Sequence, residues 1–137
     1  VLEVRDTCLC LAAQRAARVL ARRFDRAFQP LGITNNQFSL MMTLTGPHPP
    51  AMSRIAPFLA IDRTTLTAAL KALERRGLVV VTADEKDRRT RRPHLTERGR
   101  AVLQAAVPIW RGEHGALEAA LPDIDAPRLR TMLGAIQ

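Results

Sequence analysis

The sequence predicts a mainly α-helical fold carrying one small β-hairpin, an α+β arrangement within a single domain over residues 1–137. Three features predict it. Apolar residues recur at steps of three and four along most of the chain, which is the helical period. One run, Leu78-Val79-Val80-Val81-Thr82, is continuous and β-branched instead, as suits a strand. The segment from Asp84 to Arg92 follows it, too charged to bury, and His94-Leu95 then offers a short return strand. With 47% apolar residues the chain is composed like a folded protein rather than a disordered one.

The elements can be justified in order. Residues 7–29 read as one long helix, with Leu9, Ala13, Ala16, Leu20, Phe24 and Ala27 on one stripe and Arg15, Arg18, Arg22 and Arg26 on the other. Pro30 and Gly32 end it. Thr34-Asn35-Asn36-Gln37 fits a capping box, with Ile33 and Phe38 placed as a hydrophobic staple. The helix it starts carries Phe38, Met41, Met42 and Leu44, and Gly46-Pro47-His48-Pro49-Pro50 stops it. A short helix spans about 53–59, with Pro57 expected near an irregular first turn.

Asp62 is a good N-cap for the next helix, 63–76, whose buried stripe is Leu66, Leu70 and Leu73 and whose end is Arg75-Arg76-Gly77. After the hairpin, where Pro93 should leave the second strand ragged, Thr96 can cap a long helix to about residue 121. Its expected apolar face is Ala101, Val102, Ala105, Ile109, Leu117 and Leu121, with a kink at Pro108 and weakening at Gly112 and Gly115. Asp125 caps a last helix bearing Leu129, Met132, Leu133 and Ile136.

Charge points to a polyanionic partner. The net charge is +8, and residues 54–100 hold twelve basic and six acidic groups, whereas residues 101–137 hold three and four. In that middle region two helices and a short turn make a helix-turn-helix, and a basic hairpin follows as a wing. The second helix offers Arg63, Thr64, Thr67, Ala68 and Lys71 opposite its leucines, a narrow face of small and hydrogen-bonding residues suited to a DNA major groove. Arg88, Arg89, Arg91 and Arg92 lie in the wing, where arginines suit a narrow minor groove.

The stretches Ile61-Asp62-Arg63-Thr64-Thr65-Leu66-Thr67, Leu73-Glu74-Arg75-Arg76-Gly77-Leu78-Val79, Asp87-Arg88-Arg89 and Leu95-Thr96-Glu97-Arg98-Gly99 resemble the MarR family of bacterial regulators. The resemblance implies a winged helix-turn-helix entwined as a homodimer through its N- and C-terminal helices. Residues 1–31 and 101–137 would dimerise and residues 32–100 would form the DNA-binding lobe. It also implies a transcriptional regulator, usually a repressor, on a palindromic double-stranded operator. Arg89 matches the family's minor-groove arginine and Asp87 the acidic residue that steadies the wing. Ala68 and Ala69 stand where relatives often carry larger polar residues, so base readout is expected from Arg63, Thr64, Thr67 and Lys71.

Two kinds of control are open. By resemblance, a small aromatic or phenolic acid would bind between the dimer helices and the lobe, with Phe24, Phe28, Phe38, Met41, Met42 and Trp110 as candidate walls. The segment Leu9-Cys10-Leu11-Ala12 resembles the organic-hydroperoxide-sensing branch of the family, which makes Cys10, and with it Cys8, the only other cysteine, candidates for a thiol sensor. Placed on a helix they would point about 200° apart and could not pair. The sensing branch in question holds its thiolate with tyrosines, and this chain has none.

Other classes find little support. His48, His94 and His114 lack metal-ligand spacing, no phosphate loop or nucleophile elbow occurs, and neither a cofactor nor enzymatic activity is expected. No apolar run is long enough for a membrane span, and a cytoplasmic location is the expectation. A winged-helix module for RNA or protein contact is the alternative from another class. RNA readers generally supply aromatic platforms, and residues 63–100 contain no Phe, Trp or Tyr.

Overall fold

The computed structural model describes residues 1–137. Its order is α1 (Leu2–Thr7), α2 (Leu9–Phe28), a short 3-10 turn, α3 (Asn35–Met42), α4 (Met52–Leu59), α5 (Arg63–Arg75), β1 (Val79–Ala83), β2 (Arg91–Leu95), α6 (Glu97–Ala119) and α7 (Ala126–Gly134). No helix is long and apolar enough to cross a membrane.

The helix expected over 7–29 is present as α2, and a further short helix, α1, precedes it. Cys8 parts them with an extended backbone (φ −72°, ψ 106°). Its Sγ accepts from the Leu11 N–H at 3.4 Å and so caps α2. The Cys8 N–H still reaches the Val4 carbonyl, and the Ala12 N–H reaches the Cys8 carbonyl. Gly32 then takes a left-handed conformation (φ 68°), and the Arg76 guanidinium donates to its carbonyl.

The capping box of α3 is complete. The Gln37 N–H donates to Thr34 Oγ1 at 3.1 Å, and the Thr34 N–H donates to Gln37 Oε1 at 3.0 Å. Asp25 of α2 adds a third acceptor, taking the Asn35 N–H at 2.7 Å. Helix α4 does begin tightly, with the Arg54 N–H on the Ala51 carbonyl, but Pro57 is not the cause. It lies in the last turn, where its ring removes only the bond to the Ser53 carbonyl. The helix stops at Ala60, the one non-glycine residue with positive φ (55°).

The hairpin is more regular than Pro93 led one to expect. The register pairs Val79 with Leu95 through to Ala83 with Arg91. Flanking bonds, Thr96 N–H to Leu78 carbonyl (3.0 Å) and Asp84 N–H to Thr90 carbonyl (2.8 Å), fix the phase of the ladder. Hydrogen-bonded pairs therefore fall at Val80–His94 and Thr82–Arg92, and Pro93, opposite Val81, occupies a non-hydrogen-bonded position where no donor is needed. Its ring is fully buried instead.

One core joins these parts. Phe24 and Phe28 of α2, Phe38 and Met41 of α3, Ile55 of α4, the three leucines of α5, Leu78, Val79 and Leu95 all enter it. The face that α6 gives to the core is Gly99, Leu103 and Ala106. Of the expected face, Val102, Ile109 and Leu117 pack on its margin, while Ala101, Ala105 and Leu121 are exposed. The helix runs unbroken past Pro108, Gly112 and Gly115. Gly99 passes so close to β1 that a β-carbon there would lie 2.0 Å from the Leu78 carbonyl oxygen. Helix α7 buries nothing within the chain, and Leu9 and Leu20 of α2 are also exposed.

Candidate nucleic-acid interface

Helix α5 is aimed by its ends. Asp62 Oδ1 accepts the Thr65 N–H at 2.7 Å. This bond, followed by contributions from the Thr65 hydroxyl and the Thr64 amide, holds the Asp62 carboxyl below the usual carboxylate range. Leu66, Leu70 and Leu73 anchor the inner face. The outer face brings Arg63, Thr64, Thr67, Ala68 and Lys71 along one shallow open groove. The Thr67 hydroxyl spends its hydrogen on the Arg63 carbonyl (2.9 Å), which leaves its oxygen as an acceptor toward that groove.

A second groove runs between α5 and the hairpin. Arg63, Thr67 and Lys71 share it with Glu74, Val81 and Arg91. The wing strand thus delivers Arg91 beside the helix residues that the sequence singled out. Arg88 and Arg89 stand exposed on the tip. Arg63, Lys71, Arg88, Arg89 and Arg91 take part in none of the four ion pairs of the chain. Five uncompensated cations on the helix and wing are what a phosphate backbone would find.

The tip is built by two aspartates rather than being a free loop. Asp87 accepts the Arg89 N–H at 3.1 Å and the Thr90 hydroxyl at 3.3 Å. Asp84 accepts the Asp87 N–H at 3.2 Å and Arg92 Nε at 2.8 Å. The Arg92 hydrogen bond, with smaller help from the Asp87 amide, lowers the Asp84 pKa. Arg92 therefore differs from the other wing arginines with which the sequence grouped it. Its guanidinium is committed to Asp84 and, at 3.1 Å, to the Pro49 carbonyl.

The effector candidates separate. Phe24, Phe28, Phe38 and Met41 are buried core; the Phe28 and Phe38 rings meet at a tilt of 31° with centroids 4.6 Å apart. Trp110 is 37% exposed and stacks on His114. Only Met42 lines a cleft, of about 620 Å³, between the 45–49 loop, the base of β2 and α6. Sequence reading missed its other walls, among them Leu103, Val107, His94 and Arg100, because they converge from separate elements. It holds those two basic groups and no carboxylate.

Cys8 is half-buried and Cys10 exposed, both as free thiols. Since Cys8 is the cap and not inside the helix, the 200° argument against pairing does not apply to it. Arg5 and Arg15 line a small cleft with Cys8. The ion pair of Arg23 with Glu113 at 2.5 Å, which ties α2 to α6, also had no local signal in the sequence.

A helix-turn-helix with a basic outward face, followed at once by a basic hairpin, defines a winged helix-turn-helix of the DNA-binding regulator class. The MarR family profile matches residues 33–90. The chain is 41% identical to the transcriptional regulator MosR of M. tuberculosis, in a crystal structure with DNA, over 94% of this chain and 92% of that one, with a TM-score of 0.84. It is 31% identical to the transcriptional repressor CouR, bound to a 23-mer DNA duplex, over 99% and 96% of the two chains, with a TM-score of 0.85. The transcriptional activatory protein BadR of Rhodopseudomonas palustris is 31% identical over 74% of this chain, which spans 60% of that protein's length. The chain belongs to the MarR family.

Proposed function

We propose that this chain is a transcriptional regulator that binds a palindromic operator in double-stranded DNA as a homodimer. Helix α5 would enter the major groove with Arg63, Thr64, Thr67 and Lys71, and Arg88, Arg89 and Arg91 would follow the wing toward the minor groove. The observation that carries this reading is the convergence of three unpaired cations, Arg63 and Lys71 of α5 and Arg91 of the wing, along one groove, with Arg88 and Arg89 exposed on the wing tip beyond it. Residues 32–100 would be the reading lobe. Residues 1–31 and 101–137 would supply the dimer, because their apolar side chains, Leu9, Leu20, Leu129, Met132, Leu133 and Ile136, find no cover within one chain. A two-fold dimer presents two α5 helices and so favours an inverted repeat. Repression is the mode named for CouR.

The cleft beside Met42 is the proposed effector site, in place of the phenylalanine-walled pocket. Its apolar walls suit an aromatic body, and His94 with Arg100 suits a carboxylate. The test is selection from a random duplex pool, with sedimentation of the free protein. Enrichment of an inverted repeat by a dimer is expected; a pool that stays random, or a monomer, contradicts the reading.

Thiol control is the second reading, favoured by one observation. The Cys8 sulfur receives an amide hydrogen at the head of a 20-residue helix, beside Arg5 and Arg15. Peroxide should release operator from the native protein but not from Cys8→Ser; equal release from Cys8→Ser and Cys10→Ser variants contradicts it.

A further inference from the structure

We propose that Arg92 is a positioning residue, a strut through which the wall of the cleft and the DNA-contacting tip of the wing move together. The proposal rests on the DNA-binding reading above. Of the side-chain hydrogen bonds made by residues 80–94, only that from Arg92 to the Pro49 carbonyl leaves the hairpin for the helical body. The rest knit the tip to itself. Beyond the apolar packing of Val79, Val81, Pro93 and Leu95 on the core, Arg92 is thus the one polar tie between the wing and the helical body.

Both ends of the strut are informative. At the outer end Arg92 grips Asp84, Asp84 holds the Asp87 amide, and Asp87 holds the Arg89 amide. A shift of Arg92 thus reaches the backbone of Arg89. At the inner end Pro49 lies in a loop with Pro47 and Pro50, and Pro47 and Pro49 are walls of the cleft. Proline fixes φ, so such a loop transmits a push instead of absorbing it. His94, two residues beyond Arg92 and on the same face of β2, is another wall. The guanidinium suits this task because its rigid plane spans two acceptors at once, which an ammonium does less well. Coupling of this kind is reciprocal: DNA on the wing must be felt at the loop.

The test follows amide resonances of the full-length protein while a short mixed-sequence duplex is added at low salt. In the native protein the duplex is expected to shift Arg88 and Arg89 at the tip and also Gly46 and His48 in the loop. In Arg92→Leu the loop shifts should vanish while the tip shifts remain, and duplex affinity should drop about tenfold, as loss of a charge-assisted bond warrants. Arg92→Lys should behave like Arg92→Leu, whereas a mere phosphate contact would be restored by lysine. If Arg92→Leu melts too early to use, Arg92→Lys carries the same comparison. Loop shifts that persist in both variants, or affinity restored by lysine, overturn the strut alone. A native protein that binds no duplex overturns the DNA-binding reading, and the strut with it.

Discussion

Gly99 at the start of α6 and the Leu78 carbonyl at the start of the hairpin are in direct backbone contact, with no room for a β-carbon between them. Thr96 closes the same junction. Its hydroxyl accepts the Gly99 N–H at 3.0 Å and donates to the Gly77 carbonyl at 2.6 Å, while its own N–H meets the Leu78 carbonyl at 3.0 Å. The wing is hinged to the long helix here. Gly99→Ala forces backbone apart and should cost about 1–3 kcal/mol or more. Urea unfolding checks this; a change within error would mean that α6 can slide away freely.

Ala60 carries the opposite kind of strain. A left-handed alanine ends α4, where glycine is the usual residue, and a glycine would remove the steric cost at some loss of chain entropy. Ala60→Gly should stabilise by roughly 0.5–1 kcal/mol on that balance. The measurement is again urea unfolding, and the expected sign is a higher midpoint at unchanged slope.

Acid should loosen both functional elements. The Asp62 and Asp84 carboxyls are lowered in the folded state by bonds from Thr65 and Arg92. Their contribution is present above the unfolded value near 3.9 and is lost as pH falls through the lower folded values. Stability should therefore fall below about pH 4, and less steeply in Asp62→Asn and Asp84→Asn. Thermal melts across that range decide it; identical slopes in all three proteins would contradict the capping and tip assignments.

The terminal helices supply a fourth prediction. Met132 and Leu133 of α7 are 59% and 52% exposed within one chain. Leu133→Glu should convert a dimer into monomer in sedimentation and weaken operator binding, leaving helix content nearly unchanged. A dimer that survives this charge would place the interface elsewhere.

What the sequence disclosed, and what it withheld, divides by range. The caps Thr34, Asp62, Thr96 and Asp125 were legible because each bonds to an amide three residues away, within a single turn. The outward face of α5 was legible because helical period alone separates Arg63 and Lys71 from Leu66 and Leu70. Asp25 capping α3 and Arg92 reaching Pro49 span 10 and 43 residues, and no local pattern encodes either. Cys8 as the cap of α2 escaped because a thiol is not among the usual caps. The burial of the candidate wall residues was hidden for a related reason: aromatic residues at helical spacing look the same whether they meet a ligand or, like Phe28 and Phe38, each other.

Most direct for the central claim is the salt dependence of duplex binding, measured by fluorescence anisotropy for the native protein and Arg89→Ala. Log affinity should fall with log salt at about 0.9 per neutralised phosphate, and Arg89→Ala should lower that slope by about one with an unchanged melting profile. A flat dependence in the native protein, or an Arg89→Ala slope equal to it, would contradict a DNA interface built from α5 and the wing.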